Sequence, residues 1–345
     1  MPSSARLTVI ALLLPASLAA QQQYTLEGES VAIFNVVGEV SLSAGSGSAV
    51  TVTATPRGAQ GAALKFAQGE VHGQETFRVI YPEGDIVYPA LGRGSQTTQR
   101  INADGTFGNS DRGHGRKVRI VGSGSGTEAH ANLAIKVPAG HGVAIYLAAG
   151  TVTATNVNGS LSFDLSSANL KINGGRGEIS ADIGSGDVDV SGTDGPLDID
   201  TGSGDVRLTN VKSTSLNVDT GSGSVIASGL DATRTAIDAG SGDIELLASQ
   251  SPEAELESGS GDITVELAGA MGNLDVETGS GDILLRLPAS TGAKVSIETS
   301  SGHIETDFTM QVTRTGREEL AGTIGDGAGR ISAESGSGDV RLQKR

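Results

Sequence analysis

Two short alternating segments flank a Gly-Ser-Gly corner in Leu197-Asp198-Ile199-Asp200-Thr201-Gly202-Ser203-Gly204-Asp205-Val206-Arg207-Leu208. Versions of this block recur down the C-terminal two-thirds of the chain and constrain its fold more than any other feature. Aligned on the first corner residue, clear copies stand at Gly184, Gly202, Gly221, Gly240, Gly259, Gly279 and Gly336, with weaker ones at Ala148, Ser166 and Ser300. From Ala148 to Ser300 the steps are 18, 18, 18, 19, 19, 19, 20 and 21 residues, and the last, from Ser300 to Gly336, is 36. We read that last step as two rungs of 18, with a degenerate turn around Thr313 to Arg330 filling the gap. So smooth a drift implies coils that stack on their neighbours.

Each block alternates with period two on both sides of the corner. Leu197 and Ile199 face one way while Asp198 and Asp200 face the other; beyond the corner Val206 and Leu208 return to the apolar side. The same holds for Leu216/Val218, Ile263/Val265, Leu274/Val276, Ile283/Leu285 and Val295/Ile297. Inward Val, Ile and Leu suit a pleated strand. A rung offers about four such side chains, each worth roughly 1.5–3 kcal/mol on burial. Ordering its backbone costs roughly 1–2 kcal/mol per residue. A single rung cannot stand alone, so stacking must supply ladder hydrogen bonds and a second buried face. The fold class is therefore all-β, a single-stranded β-helix or β-solenoid with rungs of about 18–21 residues. A left-handed hexapeptide helix is the main alternative, and no six-residue aliphatic period appears to support it.

The same alignment lines up acids. Two residues before each corner stand Asp164, Asp182, Asp200, Asp219, Asp238, Glu257, Glu277, Glu298 and Glu334. Directly after it stand Asp187, Asp205, Asp243, Asp262, Asp282 and Asp339, interrupted by Ser224 and His303. Strands stacked about 4.8 Å apart would turn these into two carboxylate columns. Neighbours in such a column repel by about 0.9 kcal/mol even in bulk water, so cations, turn N–H groups or solvent must offset the charge.

Composition agrees with a thin aliphatic core: aromatics make up 3% of the 345 residues and there is no Trp. Met1 to Ala20 reads as a secretory signal peptide, with Arg6, an apolar run from Leu7 to Leu14 and small residues before the cleavage point. The run is too short to span a bilayer, and no later segment could. The absence of cysteine excludes disulfides, thiolate metal sites and Cys nucleophiles. From Tyr24 to about Pro138 the pattern is β but irregular. Val31 to Val40 and Val50 to Thr55 read as strands around Gly45-Ser46-Gly47-Ser48, an early version of the corner, and Gly92 to Gly115 reads as a mobile loop. The division is thus a signal peptide over 1–20, an irregular N-terminal β region over 24–138 that is the solenoid's start or its cap, with a Gly-rich insertion at 92–115, and solenoid repeats over 139–345. The charges of Gln343-Lys344-Arg345 would blunt the last edge.

The acidic columns raise two chemical readings. Hard oxygen ligands suit Ca²⁺, with Asp187, Asp205, Asp243, Asp262, Asp282, Asp200, Asp219 and Asp238 as the candidate ladder. Yet calcium β-rolls repeat every nine residues with a Gly-Gly pair, and here the period is about twice that. Paired carboxylates could instead cleave a glycosidic bond, as in a polysaccharide-cleaving β-helix enzyme. These acids recur on every rung, however, whereas an active site needs a distinct constellation. His72, His114, His130, His141 and His303 lie in no nucleophile-elbow pattern. Arg112, His114, Arg116, Lys117 and Arg119 form a basic cluster too small for nucleic acid in a chain of net charge −16. They read as a salt-bridging surface loop. No cofactor is called for, and a solvated acidic edge is the reading carried forward.

The recurrent T-G-S-G-D-[VI] rungs, Val137-Pro138-Ala139-Gly140, the T-x-x-x-G-x-[LIV] at Thr155 to Leu161 and Gly322-Thr323-Ile324-Gly325-Asp326-Gly327 carry a family likeness. The chain resembles the bacterial putative-adhesin family of exported β-strand-repeat proteins, over roughly Val31 to Leu342. The resemblance implies a right-handed solenoid, an extracytoplasmic location and surface or envelope functions, and supplies no catalytic residues to carry over. The expectation is an exported, non-enzymatic β-solenoid, periplasmic, cell-surface or secreted. It would present an acidic repeat surface to an envelope or surface protein or polysaccharide, with no nucleic acid among its partners.

Overall fold

The computed structural model describes residues 21–108, 115–269 and 272–345. The expected signal peptide, and Arg112 and His114 of the basic cluster, lie outside the described residues. The repeat region is a parallel β-solenoid in which the equivalent positions of the sequence alignment are the paired positions of the sheet. Leu161, Ile179, Leu197 and Leu216 follow one another in register, as do Phe163, Ala181, Ile199 and Val218. Beyond the corner, Val188, Val206, Val225, Ile244 and Ile263 form a third column. All of these are buried in one continuous core. The alternating stretch 142–176 supplies two full coils as the long strands Gly142–Asn158 and Ser160–Arg176.

Stacking distance explains the corner glycines. A Cβ on Gly202 would lie 2.7 Å from the Gly184 carbonyl oxygen, and one on Gly221 would lie 2.7 Å from that of Gly202. The third corner residue is tighter still: a Cβ on Gly242 would overlap the Gly223 carbonyl. Glycine is needed there because the coil beneath leaves no room for a side chain.

Three expectations need correction. First, the N-terminal region is the solenoid's start as well as its cap, so the rungs begin before 139. Ser30–Ala44 is already a complete rung, paired in parallel register along Gly142–Asn158, with Gly38 opposite Gly150. The corner equivalent is therefore Val36-Val37-Gly38, and Gly45-Ser46-Gly47-Ser48 is a connection into the antiparallel strand Val50–Arg57. The segment between the first two rungs returns over the open end. Gln74–Ile80 and His130–Val137 pair with Ser30–Ala44, so the cap is inserted after the first rung instead of preceding it. A cap of this kind covers strand edges that would otherwise be open templates.

Second, 92–115 is not simply a loop. Gln96–Ile101 pairs antiparallel with Arg116–Val121 in a small sheet completed by Ile86–Val87. Alternation of exposed Thr98, Arg100 and Arg119 with buried Ile101, Val118 and Ile120 drives it, a pattern hidden by the surrounding glycines. Within this sheet Arg119 pairs with Asp85, and Arg116 donates to the Tyr81 and Pro82 carbonyls, the local role expected of the basic cluster.

Third, no degenerate rung fills 313–330. Met310–Thr315 and Glu319–Ile324 form an antiparallel hairpin laid along Ala293–Thr299. The C-terminal rung, Gly329–Ser335 and Val340–Lys344, then inserts between the two rungs that precede it in sequence. Gly329–Ser335 pairs in parallel with Asn273–Thr278 on one side and Ala293–Thr299 on the other. Val340–Lys344 is likewise flanked by Ile283–Leu287 and Ile304–Thr306. The final residues do not blunt an edge, since the last strand is internal.

Candidate functional site

Outward side chains two residues before the corner stack in one file along the solenoid. The order is Asp164, Asp182, Asp200, Asp219, Asp238, Glu257, Glu277, Glu334 and Glu298. The file is acidic throughout and begins where the inserted cap ends. The register positions before Asp164 are Tyr146, Phe34 and Arg78. Phe34 and Tyr146 stack with ring centroids 4.3 Å apart, and Phe107 from the insertion meets Phe34 edge-on. A shallow depression of about 430 Å³ opens around Ala236, bordered by Asp200, Asp219, Asp238, Glu255 and Glu257.

Proximity shifts the acids of this file. Partial burial, then the charges of Asp182, Asp219 and Asp198, raise the pKa of Asp200 above the ordinary carboxylate value. Burial and Asp219 raise that of Asp238. For Glu257 the first cause is Asp238, followed by burial and the charges of Glu277 and Glu255. These three acids therefore hold their protons more readily than isolated carboxylic acids do.

The second acidic column, directly after the corner, is arranged differently. The Oδ1 of Asp187 accepts the Asp205 N–H at 3.1 Å, Asp205 that of Ser224 at 3.1 Å, and Asp243 that of Asp262 at 2.9 Å. Asp262 serves Asp282, and Asp282 serves Asp339, both at 2.8 Å; Asp339 serves His303 at 2.9 Å. Each carboxylate thus accepts the backbone donor of the next coil, the turn N–H offset that such a column requires. Arg207 pairs with Asp205 at 3.1 Å, and Arg341 lies against Asp339 at 2.6 Å and Asp282 at 3.4 Å. The His303 N–H, with Arg341, holds the Asp339 carboxyl below its ordinary value. Among the described residues no three His, Cys, Asp or Glu side chains converge as metal ligands.

Of the eight acids singled out from sequence, Asp200, Asp219 and Asp238 share the outward file, whereas Asp187, Asp205, Asp243, Asp262 and Asp282 form the hydrogen-bonded ladder. Sequence reasoning missed a third ladder just before the corner. Thr278 Oγ1 donates to the Gly261 carbonyl at 2.8 Å and accepts the Gly281 N–H at 3.2 Å. Ser258, Ser335 and Thr299 repeat the arrangement. Its signal was the Ser or Thr that precedes most of the later corners, at Thr201, Thr220, Ser258, Thr278, Thr299 and Ser335. The opposite corner carries alternating charge instead, with Arg176 against Asp194 at 3.6 Å and Lys212 against Asp231 at 4.0 Å.

A family model described as Toastrack DUF4097 matches residues 119–343. No curated protein matches the chain. A solved structure titled "putative cell adhesion protein", from Clostridium sporogenes ATCC 15579, aligns with 94% of this chain and 100% of its own at 10% identity. Its TM-score is 0.21, too low to support any inference about this chain.

Proposed function

The chain belongs to the Toastrack DUF4097 family, and from that premise we propose that it is an exported, non-enzymatic interaction module whose working surface is the outward acidic file. One observation carries the reading. The solenoid alternates charge along one corner and uses its post-corner acids as backbone acceptors, yet keeps Asp182, Asp200, Asp219, Asp238, Glu257 and Glu277 in consecutive register at a cost in mutual repulsion. Such a file offers a repeating negative surface to a cationic or hydrogen-bond-donating face of an envelope protein or polysaccharide. Contacts of this kind weaken steeply with ionic strength.

The test is retention of the purified chain on isolated bacterial envelope at low and high salt. It is compared with the variant Asp200→Asn, Asp219→Asn, Asp238→Asn. The reading expects retention that falls with salt and is reduced at least tenfold in the variant. Equal retention of both proteins would remove the acidic file as the contact surface. Release of reducing ends from the envelope glycan would replace the binding reading with an enzymatic one.

A further inference from the structure

The stacking order of the last rungs departs from their order in the chain. Gly336 N–H donates to the Thr278 carbonyl and Ser300 N–H to that of Ser335, so the Gly336 corner lies between those of Gly279 and Ser300. The acid ladder passes in the same order, from Asp282 through Asp339 to His303. Both flanking rungs precede the inserted one in sequence, and each is complementary to the other. Leu274 and Val295 are both opposite Ile331, Val276 and Ile297 are both opposite Ala333, and Ile283 and Ile304 are both opposite Val340. Thr278 and Thr299 likewise share Ser335 as their partner.

The connecting segments match this double complementarity. Five residues, 288–292, lead from Leu287 to Ala293 across two rung heights, about 9.6 Å. An earlier connection, 250–252, needs only three residues to climb one rung, from Ser249 to Glu253. The later segment is therefore long enough for either rise. On the other side, the link from Ile324 to Gly329 turns at Gly325 and Gly327, both in the left-handed region at φ of 57° and 70°.

We infer that the C-terminal rung is a separable wedge. The chain has a second stacking state in which Asn273–Thr278 pairs directly with Ala293–Thr299, and 329–345 is withdrawn as an extended segment. Insertion completes two parallel ladders in place of one and buries Ile331, Ala333, Val340 and Leu342, which favours the inserted state. The direct state forms first, because its strands are both available before the wedge is made and their contact closes a shorter loop. The position between the two rungs fits an extended segment with alternate aliphatics and a Gly-Ser-Gly corner, and the chain's own C-terminal rung is its occupant.

Engineered cysteine pairs in the full chain, which has no native cysteine, distinguish the two states. Glu277 and Glu298 are exposed and two rungs apart when the wedge is in, a Cα separation of about 9.6 Å that no disulfide bridges. They are neighbours when it is out. Glu277 and Glu334 are neighbours only when it is in.

The inference expects Glu277→Cys/Glu298→Cys to cross-link in most chains oxidised during refolding and in few chains oxidised after folding. The linked protein should lose its C-terminus to trypsin at Arg330, while the earlier rungs resist cleavage. The Glu277→Cys/Glu334→Cys control should link in the folded protein. Failure of the first pair to link during refolding while the control links, or linking without new tryptic cleavage after Arg330, whose backbone is held between two strands when the wedge is in, would overturn the second state. The outward pair Asp275→Cys/Ser296→Cys, which shares Ser332 as its partner, provides the same readout if the first pair does not refold.

Discussion

At the residue scale, one carboxylate oxygen per coil settles what the post-corner acids contribute. Asp262 Oδ1 accepts the Asp282 N–H at 2.8 Å, and an Asn in its place keeps an acceptor oxygen at that position while removing one charge from the column. Asp262→Asn should therefore leave stability unchanged or raise it. Asp262→Ala removes the acceptor and should cost about 1–2 kcal/mol of unfolding free energy, measured by denaturant titration. Equal losses for the two variants would mean that the charge itself stabilises the column, as a bound cation would require. The hydroxyl ladder gives a converse case. Ala239 stands in register with Ser258, one coil from Thr220, whose buried Oγ1 has no hydrogen-bond partner. Ala239→Ser supplies the missing hydroxyl and should raise unfolding free energy by about 0.5–1.5 kcal/mol; a loss of stability would show that the corner cannot accommodate it.

At the element scale, the cap is held to the first rung by a buried polar knot. Tyr81 Oη donates to Asn35 Oδ1 at 2.9 Å or the Val37 carbonyl at 2.7 Å and accepts the Val37 N–H at 3.2 Å, while Asn35 donates to the Ala131 carbonyl at 2.8 Å. Burial pushes the Tyr81 phenol far above its ordinary pKa, so it stays a neutral donor. Tyr81→Phe leaves these groups without their partner and should cost about 1–3 kcal/mol, with hydrogen exchange rising first in 74–81 and 130–137. Protection unchanged in those strands would show that apolar packing alone holds the cap.

This element also shows how far the sequence was legible. Periodicity placed Leu197, Ile199, Val206 and Leu208 in the core, and the corner alignment predicted the register coil by coil, because each rung repeats the same local rule. Insertion order obeys no local rule. Ser30–Ala44 lacks a Gly-Ser-Gly corner, so its role as a rung shows only in its pairing with Gly142–Asn158. The 36-residue gap before Gly336 was equally compatible with a stacked turn and with a hairpin plus an inserted strand. The acid file was legible as a pattern, but its division into an outward file and a backbone-capping ladder depends on which side chain reaches the next coil's N–H.

At the scale of the whole molecule, the acid file makes stability depend on pH in a direction opposite to that of ordinary salt-bridged carboxylates. Asp200, Asp238 and Glu257 have folded-state pKa values above their ordinary ones. The folded chain thus binds more protons than the unfolded chain between those raised values and about pH 4. Unfolding free energy must then increase as pH falls through the raised values and level off below the ordinary one. Asp339 acts in the opposite sense, since its carboxyl is held low by the His303 N–H and Arg341. The stability it contributes is lost only as pH falls through its own depressed pKa, below the window of the file. His130, held low by burial, subtracts stability once pH falls below the ordinary imidazole value, and Asp104 is held low as Asp339 is. The file's own contribution to the thermal midpoint, taken against a triple Asn variant, should therefore rise from pH 7 to about pH 4.5, and the rise should shrink in high salt, which screens exposed charges. That variant carries Asp200→Asn, Asp219→Asn and Asp238→Asn, and its midpoint at pH 7 should already be elevated. A variant midpoint that follows the parent's over this range would mean that the acids are held by favourable partners and that their alignment costs the fold nothing.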